Sequence, residues 1–194
     1  MSFKHQVENI NRHLTEVVGT DSSEYIIGDC LKLPKSSSPK RIALAVNESM
    51  NRMDQSLDES TRNKIMALSG YDCVNANKRA VDQALKRRNK YNTLEEYLKA
   101  EEKNPSRGTR FKREGEILYQ WYTPREWSRP MRCFCSLMKG LPEGITASGT
   151  YCKCSESFVK KVWESVLGEP VEVKVLESAI SGSEECKFEI KPIQ

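Results

Sequence analysis

The sequence predicts an α+β protein in which an N-terminal helical region is followed by an antiparallel sheet with packed helices. Two observations predict this fold. Up to residue 101, apolar side chains recur every three or four positions, as on one face of a helix. From Thr109 onward they alternate with polar side chains, as on one face of a strand. We therefore expect a helical region over residues 1–101 and an α+β, cysteine-rich, ligand- or metal-binding region over residues 102–194, joined in one compact domain.

Five helices are expected in the N-terminal region. Ser38 and Thr93 are typical N-cap residues, and Gly19 and Gly70 are placed to end helices. The segment after Gly19 is expected to be a connection with a short strand-like run at residues 25–27. The predicted helices cover residues 3–18, 39–53 and 58–70, and two more begin at Asp72 and Thr93.

Four strands and one helix are expected after residue 101. Glu114 and Gly115 separate two strand-like runs, which predicts a β-hairpin. Ser155 is expected to begin the helix and Gly168 to end it. The predicted elements are strands 109–113 and 116–122, a helix at about 155–167, and strands 171–176 and 186–190.

Two Cys-x-Cys pairs dominate the chemistry of the sequence. Cys133 and Cys135 are followed, after a segment that contains three glycines, by Cys152 and Cys154. In an extended chain, residues two apart point to the same side, so each pair can direct two sulfurs at one point. Four converging thiolates suit a tetrahedral zinc ion or an iron–sulfur cluster. Two alternatives stay open: a disulfide or redox-active dithiol, and cysteines that pack as small apolar side chains.

The other three cysteines are ranked by their expected positions. Cys73 is expected near a helix N-terminus, where the helix dipole favours a thiolate, and is the fifth candidate metal ligand. Cys186 alternates with apolar residues in the last predicted strand, which favours a role in the core. Cys30 is also a weak candidate.

Aromatic residues before the first cysteine pair indicate a ligand pocket. The candidates for its wall are Tyr119, Trp121, Tyr122 and Trp127. Their alternative role is ordinary packing in the core of the sheet.

Three arginines precede the first pair: Arg125, Arg129 and Arg132. They could stabilise thiolates or bind a carboxylate or phosphate of a ligand, and the alternative is a solvated loop.

Composition restricts the classes of protein and partner. The longest apolar run is Ile42–Val46, far short of the ~20 residues that span a bilayer, and the N-terminus lacks an apolar signal region. We expect a cytoplasmic protein, without membrane association, whose cysteines stay reduced. Residues 73–132 carry 15 basic and 8 acidic side chains, but no known nucleic-acid motif is present, so nucleic acid is an unlikely partner.

The C-terminal third carries a family resemblance. Its features are the cysteine pair, the turn Leu167-Gly168-Glu169-Pro170, the strand that follows, and Gly182 before Cys186. Over residues 146–191 the chain resembles the 4-vinyl reductase-type small-molecule-binding domain. It also resembles a related group of prokaryotic proteins named after L-2-amino-thiazoline-4-carboxylate hydrolase. The resemblance implies an antiparallel sheet with packed helices, a pocket for a small ligand, and zinc-binding cysteines, here the two pairs.

Three functions are therefore considered. The first is a small-molecule-binding or sensory domain with a thiolate site for zinc or an iron–sulfur cluster. The second is an enzyme, a reductase or hydrolase that uses the cysteines on a small, aromatic or heterocyclic substrate. The third, ranked last, is nucleic-acid binding through the basic middle. A homodimer stays open, and no catalytic residue can be assigned.

Overall fold

The computed structural model describes residues 2–126 and 131–193. Its described residues form seven α-helices and one four-stranded antiparallel sheet, which confirms the predicted α+β class and the N-terminal helical region. The first six helices are α1 (Phe3–Val18), α2 (Thr20–Lys32), α3 (Pro39–Ser56), α4 (Glu59–Ala76), α5 (Lys78–Arg88) and α6 (Leu94–Lys103). The later elements are β1 (Thr109–Glu114), β2 (Ile117–Tyr122), α7 (Lys153–Leu167), β3 (Val171–Glu177) and β4 (Cys186–Pro192).

Several helix ends lie where the sequence places them. Ser38 Oγ accepts a hydrogen bond from the backbone N–H of Arg41 at the start of α3. Thr93 and Glu96 form the reciprocal capping box at the start of α6. Gly19 and Gly168 follow α1 and α7 with φ angles of 86° and 76°, values that glycine adopts without strain.

The strands lie in the order β1-β2-β4-β3. β1 and β2 form the predicted hairpin, and β4 pairs antiparallel with both β2 and β3. On the inner face, Leu118, Phe188 and Ile190 pack with Val159 and Trp163 of α7 in one apolar cluster. The sheet and α7 thus form the layer that supports the cysteine region.

Two helix predictions are wrong. The segment predicted as a connection with a strand-like run forms α2, because Ile26 and Ile27 are buried against the neighbouring helices. Gly70 does not end a helix, since α4 continues to Ala76. Consequently Cys73 lies near the C-terminal end of α4, and not at the helix N-terminus where it was expected.

A second apolar cluster joins parts of the chain that are distant in sequence. Helices α1 to α4 contribute most of its buried residues, among them Leu14 and Met66. Leu137, Met138 and Tyr151, from the segment between the cysteine pairs, are buried in the same cluster. The boundary expected near residue 101 is therefore a change in secondary structure and does not separate two cores.

No helix among the described residues combines the length and apolarity that a membrane-spanning segment needs.

Candidate functional site

A cavity of about 580 Å³ lies between the end of α4, the start of α7 and the edge of the sheet. Six of the seven cysteines line it, and the seventh, Cys30, is buried in the core beside Ser49. The six are Cys73, Cys133, Cys135, Cys152, Cys154 and Cys186. The structure thus brings all five predicted metal ligands to one cavity and adds Cys186.

Five different parts of the chain position these thiols. Cys73 lies in the last turn of α4, and Cys186 is the first residue of β4. The Cys133 pair lies in the irregular segment after β2. Cys152 ends a 3₁₀ turn and Cys154 lies in the first turn of α7. The second pair is therefore helical, and the extended conformation expected from the sequence is wrong for it.

Close contact between α4 and α7 brings Cys73 towards Cys154. A Cβ atom on Gly70, which precedes Cys73 by less than one turn, would lie 2.2 Å from the carbonyl oxygen of Cys154. Only glycine permits this distance between the two helix backbones. Gly70 is therefore a packing residue of the candidate site.

The two thiols of the first pair have polar contacts with neighbouring groups. Cys135 Sγ lies 3.0 Å from the hydroxyl oxygen of Tyr151 and 3.9 Å from Gln6 Oε1. Cys133 Sγ accepts a hydrogen bond from the backbone N–H of Cys135 at 3.4 Å.

Three of the other cavity thiols also have polar contacts. Cys152 Sγ lies 3.0 Å from the hydroxyl of Ser178. The Cys73 sulfur accepts from the Asn77 amide at 3.6 Å, and the Cys186 sulfur accepts from the backbone N–H of Ala179 at 3.5 Å.

Burial raises the pKa of five thiols that line the cavity: Cys73, Cys133, Cys152, Cys154 and Cys186. Desolvation is the largest cause for Cys133 and Cys154, whose pKa values lie well above the ordinary value, and it raises that of Cys152 to about 12. Other cavity cysteines raise the pKa of Cys154 further, since neighbouring thiolates repel each other. Burial also raises the pKa of Cys73, so the thiolate expected there from a helix dipole is wrong. The metal-free cavity therefore holds mainly neutral thiols near pH 7.

The thiols line one cavity, but they are not arranged as a complete set of metal ligands. All seven cysteines are free. Within residues 2–126 and 131–193, no three Cys, His, Asp or Glu side chains are arranged so that they could hold one metal ion.

Comparison with known proteins identifies a family. The family model of DUF6144, described as a family of unknown function, matches residues 6–194. The chain belongs to this family. The match runs from Gln6 at the cavity to beyond Cys186, so it includes every described residue that lines the cavity. No curated protein matches the chain.

Two predicted ligand-binding residues of this DUF6144 protein lie away from the cavity. Tyr119 and Trp121 point to the outer face of the sheet, where the Lys187 ammonium lies 5.0 Å and 5.3 Å from their ring centres. The side chains that alternate with them point inward, as Gln120 does when it accepts from the indole N–H of Trp163. Among the described members of the predicted aromatic set, Tyr122, on the inner face, lines the cavity. Trp127 lies outside the described residues.

The predicted arginines have structural partners. Buried Arg132 donates from Nη1 to the carbonyl oxygen of Pro142 at 2.7 Å and from Nη2 to that of Ala179 at 3.3 Å. Arg125 forms a surface ion pair with Glu143 at 3.3 Å. The guanidinium groups of Arg125 and Arg132 are thus engaged with the protein, and neither residue lines the cavity. Arg129 lies outside the described residues.

Several residues of the site were not predicted from the sequence, among them Tyr151, Gln6 and Cys186. Tyr151 contacts Cys135, Gln6 contacts both Cys135 and Ser136, and Cys186 completes the wall. Tyr151 precedes the second cysteine pair, which is a signal that could have found it. Gln6 lies in α1, 129 positions from Cys135, and no local pattern indicates that contact.

Proposed function

We propose that this DUF6144 protein is a small-molecule-binding or sensory domain with a cysteine site for zinc or an iron–sulfur cluster. The observation that carries the proposal is the convergence of six cysteines on one cavity. The resemblance of residues 146–191 to the 4-vinyl reductase-type domain agrees with it. Free thiols at all seven positions agree with the cytoplasmic location that we also propose.

The lining of the cavity favours an apolar or aromatic ligand. Tyr122, Phe134, Phe158 and Phe188 contribute rings beside the sulfurs. A pocket of this kind holds its ligand mainly by burial of apolar surface and orients it through a few polar groups. Here those polar groups include the thiols, the Tyr151 hydroxyl and the side chains of Gln6, Asn77 and Arg79.

The donor set favours a soft metal. Its candidate ligands are sulfur atoms, and neither His5 nor His13 lines the cavity. Thiolates select zinc, copper(I) or iron–sulfur clusters, and metal binding releases the protons that buried thiols otherwise retain. A single zinc ion would require the two cysteine pairs to close around it. A cluster holds its ligands further apart, so it would require less movement.

Metal content tests this proposal directly. We would purify the protein without oxygen, supply zinc or iron with sulfide, and measure bound metal and the absorption spectrum. The test variant is Cys133→Ser/Cys154→Ser, and the matched control is Cys30→Ser, at the buried cysteine outside the cavity. We expect stoichiometric metal in the wild type and the control, with a broad band near ~400 nm if iron–sulfur is bound. Equal metal content in the wild type, the double variant and the control would contradict a metal site at these cysteines.

The enzyme alternative is favoured by one contact. Cys135 Sγ, 3.0 Å from the Tyr151 hydroxyl in an apolar cavity, is arranged as a nucleophile beside a proton donor or acceptor. A limiting amount of iodoacetamide would label Cys135 first, and Tyr151→Phe would change the pH dependence of that rate. Equal labelling of all cavity thiols would contradict the alternative.

A further inference from the structure

A second cavity, of about 630 Å³, adjoins the cysteine cavity under helix α5. Four residues line both spaces: Ala80, Gln83, Tyr122 and Phe158. The two spaces therefore share a wall of one small side chain, one flexible one and two rings. Together they extend from the sulfurs to the surface beside α5.

Helix α5 covers this space without filling it. None of its residues is fully buried, although the helix lies against α7. Ala80 and Ala84 face the second cavity, and their methyl groups leave room beneath the helix. An amphipathic helix normally buries its apolar face in the core. Here part of that face borders a hollow.

The floor and the rim of the second cavity differ in chemistry. Phe111 and Trp163 line the floor as a stacked pair with ring centres 5.2 Å apart. The rim carries Lys86, Arg87, Lys90 and Arg107.

The rim has more positive charge than its own carboxylates balance. Arg87 is held by Glu101 at 2.6 Å, and Glu101 is the one carboxylate among the described residues that line this cavity. Lys86 and Lys90 form no ion pair within the described part of the chain. The opening is thus cationic, whereas the interior is aromatic.

We propose that the two cavities form one binding site, roofed by α5, for a small amphipathic anion. Its aromatic or apolar body lies between the Phe111–Trp163 pair and the cysteines. Its carboxylate or other anionic group lies at Lys86 and Lys90. This inference rests on the proposed ligand-binding function and specifies the class of ligand.

Two dyes that share one body test the inference. 8-Anilino-1-naphthalenesulfonate carries an anionic group, and N-phenyl-1-naphthylamine has the same rings without it. The test variant is Lys86→Gln/Lys90→Gln, and the control is Lys161→Gln on the exposed side of α7. Removal of two surface charges should weaken binding of the sulfonate about 3- to 10-fold, less so at high salt, and leave the neutral dye within about twofold. The control should bind both dyes like the wild type.

A substitution at the shared wall tests whether the cavities are continuous. Ala80→Phe should abolish binding of both dyes, and circular dichroism would verify that the variant is folded. Undiminished binding of the neutral dye by Ala80→Phe would overturn the single site.

The two proposals fail in different ways. If the neutral dye binds but the affinity for the sulfonate dye is unchanged by the lysine substitutions, the proposed anion site is wrong and the ligand-binding function stands. If neither dye binds the wild type, the ligand-binding part of the proposed function fails as well. Metal content, measured separately, tests the cysteine site in both cases.

Discussion

At the scale of single residues, burial controls the chemistry of the cavity thiols. Desolvation is the largest cause of the raised pKa values of Cys73, Cys133, Cys152, Cys154 and Cys186. A buried thiol resists ionisation because the thiolate loses its hydration. Since metal binding needs the thiolate, the apparent affinity of the cavity for zinc should rise with pH.

The same shift predicts how stability depends on pH. The pKa of Cys152 is raised from 9.0 to about 12, so its contribution to stability is complete below about pH 9 and is lost as the pH rises towards 12. At pH 10.5 the loss should be about 2 kcal/mol. Urea unfolding of the reduced, metal-free protein at pH 7.5 and 10.5 would measure the total loss, to which the other thiols with raised pKa values also contribute. The Cys152→Ala variant should lose less stability over this range, and parallel losses would contradict the assignment.

Substitution of Gly70 by alanine should destabilise the protein, although helix propensity alone predicts that it stabilises. In a free helix, Gly→Ala stabilises by up to about 1 kcal/mol. At Gly70 the new methyl group would collide with the Cys154 backbone, so Gly70→Ala should lower the free energy of unfolding by about 1–3 kcal/mol. Gly28→Ala in α2 is the control, because the atoms nearest to its methyl group would be those of the flexible Glu24 side chain. Equal effects of the two substitutions in urea unfolding would contradict the close contact.

Sequence periodicity gives the direction of a residue but does not show what it faces. Cys186 alternates with Phe188 and Ile190, and it lies on the inner face of β4, as that pattern predicts. The pattern cannot show that the inner face borders a cavity at Cys186, because the opposing residues come from α4 and the cysteine segment. Tyr119 and Trp121 illustrate the converse. Their aromatic character indicated a place in the wall of a ligand pocket, but their side chains point to the outer face of the sheet and do not line the cavity.

At the scale of elements, Arg132 organises the segment between the cysteine pairs. Its guanidinium donates to the carbonyl oxygens of Pro142, Ile145, Ala179 and Ile180. These bonds join the loop after Cys133 to the turn before β4. The arginine therefore acts through the backbone of the cavity wall.

Removal of this arginine should destabilise the protein. Arg132→Met would leave the carbonyl oxygens of Ile145 and Ala179 without the donor they have in the wild type, at a cost of about 2–4 kcal/mol. Those of Pro142 and Ile180 would keep a backbone N–H donor. Arg125→Met is the matched control, because its ion pair with Glu143 is exposed and contributes at most about 1 kcal/mol. Urea unfolding of both variants measures the difference. Equal stabilities would mean that Arg132 does not support the segment.

Helix prediction failed where tertiary contacts override local signals. The β-branched pair Ile26 and Ile27 indicates a strand, but both are buried among α1 and α3 within a helix. Gly70 normally indicates a helix end, and here it allows two helices to meet. Where the signal is local, as in the capping box at Thr93, the prediction is confirmed.

At the scale of the whole molecule, the helical and sheet regions share their packing. One apolar cluster contains residues of α1 to α4 together with Leu137, Met138 and Tyr151, and the other contains Tyr97 and Leu98 of α6 with the sheet. The candidate site lies where these parts meet, since Cys73 belongs to the first region and the other cavity cysteines to the second. A ligand or metal there would contact both regions at once.

This shared packing predicts one cooperative unfolding transition. All three tryptophans, Trp121, Trp127 and Trp163, follow residue 101, whereas most of the helical residues precede it. Tryptophan fluorescence therefore reports mainly on the C-terminal region and far-UV circular dichroism mainly on the N-terminal one. We expect urea transitions monitored by the two signals to coincide, because neither region can keep its apolar cluster when the other unfolds. A difference of more than about 0.5 M urea between the midpoints of the two transitions would show that the regions unfold separately. The cysteine cavity would then lie between two independent units, and a bound metal, which stabilises only the state that has both walls, should bring the two transitions together.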